Sequence, residues 1–237
     1  MGWDRVGSLQ PNGRDRSRKS ITLAADAVVF DCDGVLVDSA ESVERSWRRW
    51  AEQVGLSVDA VPVEIHGRTS RATAEALLPP EAVASAAALM ERIEIDDAAS
   101  VRAVPGAQVL LASMPADRWA VVTSGTRPLF SARMAASGLP LPTIAVTADD
   151  VSRSKPDPEG YARALRLLGV DPGRAVVLED AVPGILAARA AGVRWVVRVG
   201  LGARMSGEDA VIPDLRQARW TGGLQLTGDV WSQMDSA

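Results

Sequence analysis

The chain has 237 residues, 47% of them hydrophobic and 24% charged, with a formal net charge of -4. These proportions fit a soluble globular protein of one large domain, or one domain carrying a smaller insert, and leave no basic surplus to draw it to nucleic acid or a membrane surface. A single cysteine, Cys32, excludes an intramolecular disulfide and suits a reducing compartment, and no apolar run approaches the roughly 18 residues of a membrane-spanning helix.

The first twenty residues mix Asp4 and Asp15 with Arg14, Arg16 and Arg18 and lack an apolar signal core. Residues 1–22 are therefore expected to form a flexible tail, and the cytoplasm is the expected location. Ala27, Val28, Val29 and Phe30 form a run too short and β-branched for a helix, ending in Asp31-Cys32-Asp33-Gly34. This predicts a buried parallel strand opening into a tight loop.

Between Asp38 and about Arg102 the strand signal disappears. Val43, Trp47, Trp50 and Val54 recur at helical spacing with Glu44, Arg45, Arg48 and Glu52 on the other face, and 69–78 and 81–93 are alanine-rich. An all-α insert over 39–102 is predicted, with Trp47 and Trp50 in its core. It interrupts an α/β core formed by 23–38 and 103–237, with Pro105-Gly106 marking the return.

Further apolar runs follow at Ala120–Val122, Ile144–Val146, Ala175–Leu178 and Trp195–Val197. Helical patterns separate most of them, as in Asp157-Pro158-Glu159, where a capping residue and a first-turn proline precede Tyr161, Leu165, Leu168 and the terminating Gly169. Strands alternating with helices predict a Rossmann-like parallel sheet with helices on both faces.

The chemistry concentrates at the strand ends, where ligands bind in open α/β sheets. Asp31 and Asp33, separated by one residue on a loop that Gly34 can turn sharply, can divide the tasks of nucleophile and proton carrier. A carboxylate approaching a phosphate dianion is repelled, so such a pair needs a divalent cation, with Mg2+ the expected cofactor. Thr123-Ser124-Gly125 ends one strand before a helix and supplies a hydroxyl and backbone N–H groups suited to an anion. Lys155 stands on a proline-rich loop and can offset phosphate charge. Glu179 and Asp180 end another apolar run and offer hard oxygen ligands. Taken singly these are weak signals: Thr-Ser-Gly is a common turn and a surface lysine is usually only solvated.

In this order, over roughly Asp26 to Val199, the set resembles the haloacid dehalogenase superfamily, whose members are mostly phosphatases. The resemblance implies that Asp31 is the nucleophile forming an aspartyl-phosphate and Asp33 the general acid and base, its backbone carbonyl also reaching the metal. It implies that Thr123 and Lys155 hold the phosphoryl group, that Asp180 with Glu179 completes the metal site, and that 39–102 is a small cap. Dehalogenating members lack the second aspartate, so Asp33 argues against dehalogenation. Ile65-His66-Gly67-Arg68-Thr69, and the segments around Thr123 and Lys155, are similar to those of the sugar-phosphate and glycerol-phosphate phosphatases. Arg68 or Arg71 would then contact a polyol or second phosphate, although an arginine in a helical cap often only faces solvent. His66 reads as a helix-end residue, and Cys32 as a small packed side chain. The expected substrate is a small phosphate ester and the expected form a monomer. A β-phosphoglucomutase-type phosphotransferase shares the same motifs. A non-catalytic binding protein on this fold would be expected to have lost Asp31, Asp33 or Lys155.

Overall fold

The computed structural model describes residues 19–60, 69–200, 207–228 and 231–232. The chain opens with β1 (Lys19–Leu23), β2 (Ala27–Phe30) and β3 (Val37–Asp38), followed by helices α1 (Ala40–Gln53), α2 (Ser70–Leu77) and α3 (Pro80–Asp97). It returns through β4 (Arg102–Ala103), α4 (Ala107–Ala112), β5 (Trp119–Val122), α5 (Arg127–Ala136) and β6 (Ala145–Val146). Then come α6 (Glu159–Leu168), β7 (Ala175–Glu179), α7 (Val182–Ala190) and β8 (Trp195–Val199). Four short strands follow: β9 (Ala210–Ile212), β10 (Ala218–Trp220), β11 (Leu224–Gly228) and β12 (Trp231–Ser232).

The main sheet has the order β12-β9-β8-β7-β2-β5-β6 and is parallel except for β12. Every residue of β2, β5 and β7 is buried, as both-face coverage of a parallel strand requires. Alternate residues divide between two cores. Val28, Phe30, Val121 and Leu178 pack on one side, and Val29, Ala120, Val122 and Val177 pack with Tyr161 and Ile185 on the other. The predicted α/β class and strand runs stand.

The helical stretch builds its own core from Val43, Trp47 and Trp50 against Ala86, Met90 and Ile93. Trp47 and Trp50 meet edge-on, and Trp50 Nε1 donates to the Ala86 carbonyl at 2.8 Å, which places both rings in packing. Its entry and exit lie side by side, because β3 pairs with β4 through Val37 opposite Ala103 and Asp38 opposite Arg102.

The structure departs from the sequence reading at the N-terminal side. Residues 19–22, expected to belong to a tail, are part of β1, which pairs antiparallel along its whole length with β11; β10 completes this second sheet. Leu23, Leu224 and Leu226 are fully buried there. The pairing is legible only once distant segments meet. His66 and Arg68 lie outside the described residues. No helix among the described residues is long and apolar enough to cross a membrane.

Candidate active site

The parallel sheet brings three strand ends to one place. Asp31 follows β2, Thr123 follows β5, and Glu179 and Asp180 stand at the end of β7. The Asp31 N–H donates to the Leu178 carbonyl at 2.9 Å, which carries the pairing of the two central strands one residue into the loop. Beyond it the chain turns back at once: the Leu36 and Val37 N–H groups both donate to the Cys32 carbonyl at 2.9 Å. Gly34 has φ +80° and lies so close to Asp180 that a Cβ there would stand 2.0 Å from Asp180 Oδ2. Glycine is thus needed for both the turn and the approach of the acid. Cys32 is fully buried in the core, as its small apolar character suggests.

Lys155 is the cation at the centre. Its side chain is 5% exposed and Nζ donates to Asp31 Oδ1 at 2.6 Å and to Glu179 Oε1 at 2.6 Å. A third, longer bond reaches the Val122 carbonyl at 3.3 Å, tying the end of β5 to the other two strands. Burial opposes the ammonium, but the carboxylates of Asp31 and Glu179 outweigh it and hold Lys155 well above the ordinary lysine range.

Asp31, Glu179 and Asp180 offer ligand oxygens that all lie within 4.8 Å of one another. Burial raises the Asp31 carboxyl to about 7; Lys155 opposes the shift, while Glu179 and Asp33 add to it. Asp180 is raised well above the carboxylate range by burial, then by Glu179 and Asp31. Three carboxylates against one ammonium leave negative charge that a hard divalent cation would neutralise, so the donor set fits magnesium. Glu179 is the most heavily engaged of the three. Oε1 accepts from Lys155 and from the Tyr161 hydroxyl at 2.9 Å, and Oε2 accepts from the N–H groups of Asp180 at 2.8 Å and Ala181 at 3.0 Å. Four donors match the four lone-pair sites of a carboxylate, so ligation by Glu179 requires it to release one.

Asp33 stands apart from that cluster. Oδ1 accepts from the Ser39 hydroxyl at 2.7 Å and Oδ2 from Arg133 Nη1 at 2.8 Å. Arg133, on α5, also donates through Nη2 to Glu94 Oε1 of α3 at 2.9 Å.

Thr123 Oγ1 accepts from the Gly125 N–H at 3.0 Å, which commits that amide and leaves the hydroxyl proton to donate elsewhere. The helix expected after Thr123-Ser124-Gly125 begins at Arg127, whose N–H donates to Asp149 Oδ2 at 2.8 Å. Its positive end is therefore capped by a carboxylate of the chain itself. Ser124, Gly125 and Arg71 line a cleft of about 390 Å³ between α2, α3 and the core loops, with Glu91, Thr126 and Asp149 also on its walls. A separate, smaller void lined by Thr123 and Lys155 shares Ser124 and Ser154 with it, so the two lie side by side. Arg71 is largely exposed and donates to Glu75 at 3.0 Å. Thr126 donates to Glu91, a direct tie between core loop and α3.

Four residues of this neighbourhood were not expected from sequence. Tyr161 reads as the apolar face of α6 until its hydroxyl is seen on Glu179. Gly184 sits in α7, where a Cβ would stand 1.5 Å from Glu179 Oε1, so the helix can lie against the acid only without a side chain. Arg133 and Glu94 carry no local signal, since their partners are remote in sequence.

Residues 25–192 match the family model of haloacid dehalogenase-like hydrolases. The chain is 39% identical over 213 residues to hexitol phosphatase A of Escherichia coli, covering 85% of this chain and 96% of that protein. It is 35% identical to validoxylamine A 7'-phosphate phosphatase of Streptomyces hygroscopicus subsp. limoneus, covering 81% and 95%. In fold it is similar to CbbY from Rhodobacter sphaeroides, solved in complex with phosphate, with TM-score 0.70 and 24% identity over 81% of this chain and 95% of that one.

Proposed function

The chain belongs to the haloacid dehalogenase-like hydrolase family, and from that premise we propose that Asp31, Asp33, Thr123 and Lys155 hydrolyse a polyol monophosphate with the help of Mg2+. That it is a phosphoric monoester hydrolase acting on small phosphate esters follows from its family and from its likeness to phosphatases over nearly their whole length. The observation that carries the residue assignment is the buried contact of Asp31 with Lys155 at 2.6 Å beside the oxygens of Glu179 and Asp180.

A carboxylate oxygen of Asp31 attacks phosphorus while the bond to the ester oxygen breaks, and Asp33 gives its proton to the leaving alkoxide. Water then attacks the aspartyl-phosphate, yielding its proton to Asp33, and cleavage of the P–O bond to Asp31 releases phosphate and restores the carboxylate. Lys155 and the Thr123 hydroxyl stabilise the oxygens of the phosphoryl group as it transfers. Asp31, the Asp33 carbonyl, Asp180 and, after releasing a donor, Glu179 would hold Mg2+, which when bound neutralises charge between nucleophile and phosphate.

The polyol reading draws on the name of the hexitol phosphatase relative and on the cleft, whose carboxylates, hydroxyls and arginine suit a chain of hydroxyl groups. Ser124, Gly125 and Arg71 are the described residues assigned to substrate; Arg68, expected beside Arg71, lies outside the described residues. Residues 39–102 are assigned as the cap over this cleft. Purified protein assayed with sorbitol 6-phosphate is expected to release inorganic phosphate only with magnesium supplied, and Asp31→Asn is expected to release none. Isomerised sugar phosphate without phosphate release, from a hexose phosphate and a bisphosphate primer, would instead assign a mutase.

A further inference from the structure

Arg133 has no step in the reaction as written, yet its side chain is only 3% exposed, deeper than an unpaired guanidinium tolerates. It is matched on both terminal nitrogens, by Asp33 at 2.8 Å and by Glu94 at 2.9 Å, and the Glu94 side chain is itself 7% exposed. Ser39, which precedes α1, holds the second oxygen of Asp33 at 2.7 Å. We propose that Arg133, braced by Glu94, is the positioning residue that fixes the Asp33 carboxylate for proton transfer to and from the substrate oxygen. The proposal rests on the phosphatase reading and adds to it the residues that support the acid–base group.

Three physical points carry it. A guanidinium is a rigid planar fork, so two carboxylates on its two ends are fixed in direction as well as distance; a lysine in the same place would be a point charge. A buried ion pair of this kind lends orientation more than stability, and losing one partner leaves a buried charge exposed to no solvent. Glu94 stands on α3, one turn from Glu91, which lines the cleft and meets Thr126 of the core loop. One rigid helix therefore forms a wall of the substrate cleft and braces the support of Asp33. The Asp33 carboxylate is not among the three that cluster for a metal, and its orientation is set by Arg133 and Ser39.

The leaving group separates positioning from mere folding. An alkoxide needs a proton as its P–O bond breaks, whereas 4-nitrophenolate leaves without one. Wild type, Arg133→Lys, Arg133→Met and Glu94→Gln are compared on sorbitol 6-phosphate and 4-nitrophenyl phosphate. In the Arg133 variants kcat/KM is expected to fall about tenfold or more further on the sorbitol ester than on the aryl ester. For Glu94→Gln, which keeps volume and an acceptor and so folds most securely, the extra loss is expected to be about threefold. Losses equal on the two esters in Glu94→Gln and in each folded Arg133 variant, or no loss at all, would overturn the inference while leaving the phosphatase intact. A wild type that releases phosphate from neither ester would overturn the functional reading and this inference together.

Discussion

Asp31 and Asp33 are two residues apart on one loop, yet the structure gives them different company, and the difference predicts different failures. Asp31 faces Lys155 and the acids of β7, while Asp33 faces Arg133 and Ser39. Asp33→Asn keeps the nucleophile but removes both the acid that protonates an alkoxide and the base that activates water, so with 4-nitrophenyl phosphate, whose leaving group needs no proton, the chain is expected to accumulate covalent phosphate on Asp31. Intact-mass measurement after mixing with substrate should show one added phosphoryl group, with turnover down about 10²–10⁴-fold; turnover near wild type would reassign the base. Gly184→Ala has an equally local cause, because its methyl meets Glu179 1.5 Å away with a helix backbone behind it. Glu179 must then shift from Lys155 and Tyr161. A magnesium titration is expected to weaken about tenfold, in the range for a displaced supporting group around a metal, and an unchanged titration would remove Glu179 from the site. That Asp31, Lys155, Glu179 and Asp180 come together was legible because each stands in a short local motif, at a strand end or, for Lys155, on a proline-rich loop. Arg133 was not: 100 residues separate it from Asp33 and 39 from Glu94, and no spacing rule spans such gaps.

Elements were read from sequence in proportion to how continuous their burial is. The central strands β2, β5 and β7 are buried at every position, so each reads as an uninterrupted apolar run, and α1 shows a clean helical stripe. By contrast β1 and β11 are half-buried ribbons whose partners lie at opposite ends of the chain, with Lys19 opposite Gly228 and Leu23 opposite Leu224. Polar neighbours hide them, and nothing local distinguishes Ser20-Ile21-Thr22 from a tail. The pairing predicts where truncation begins to matter. Removing residues 1–18 is expected to leave turnover and Tm unchanged, since the described site and core residues all come from later in the chain. Removing 1–23 strips β11 of its outer partner and takes out Leu23, which is fully buried. Loss of a buried leucine alone costs about 2–5 kcal/mol. At about 2–4 °C per kcal/mol for a chain of this size, a thermal melt should drop by roughly 10 °C. A melt equal to wild type would show that the second sheet contributes little.

At the scale of the whole molecule the acid cluster links stability, pH and metal. Without a cation, burial holds Asp31 near 7, far above its ordinary 3.8, and Asp180 and Glu94 are raised in the same sense. A folded chain then keeps protons that the unfolded chain has already released. The stability that Asp31 contributes is therefore highest in acid and falls as pH rises from about 4 through about 7, and Asp180 and Glu94 act in the same direction. Lys155 and Tyr161 are shifted upward from 10.5 and 10.0, outside this window. Asp26 and Asp214 are instead lowered by their hydrogen bonds to Arg174 and Arg216 and pull the total the other way, so absolute melting curves mix both signs. Comparison with and without magnesium cancels them if the ion is held by the cluster, as proposed. Magnesium favours the ionised carboxylates and competes with their protons. The rise in Tm on adding it should accordingly be larger at about pH 8 than at about pH 5, where protons already occupy the site. In Asp180→Asn the increment should shrink at the higher pH toward its value at the lower. An increment independent of pH would mean that the ion sits away from Asp31 and Asp180, and that their raised carboxyls are quieted by something other than a cation.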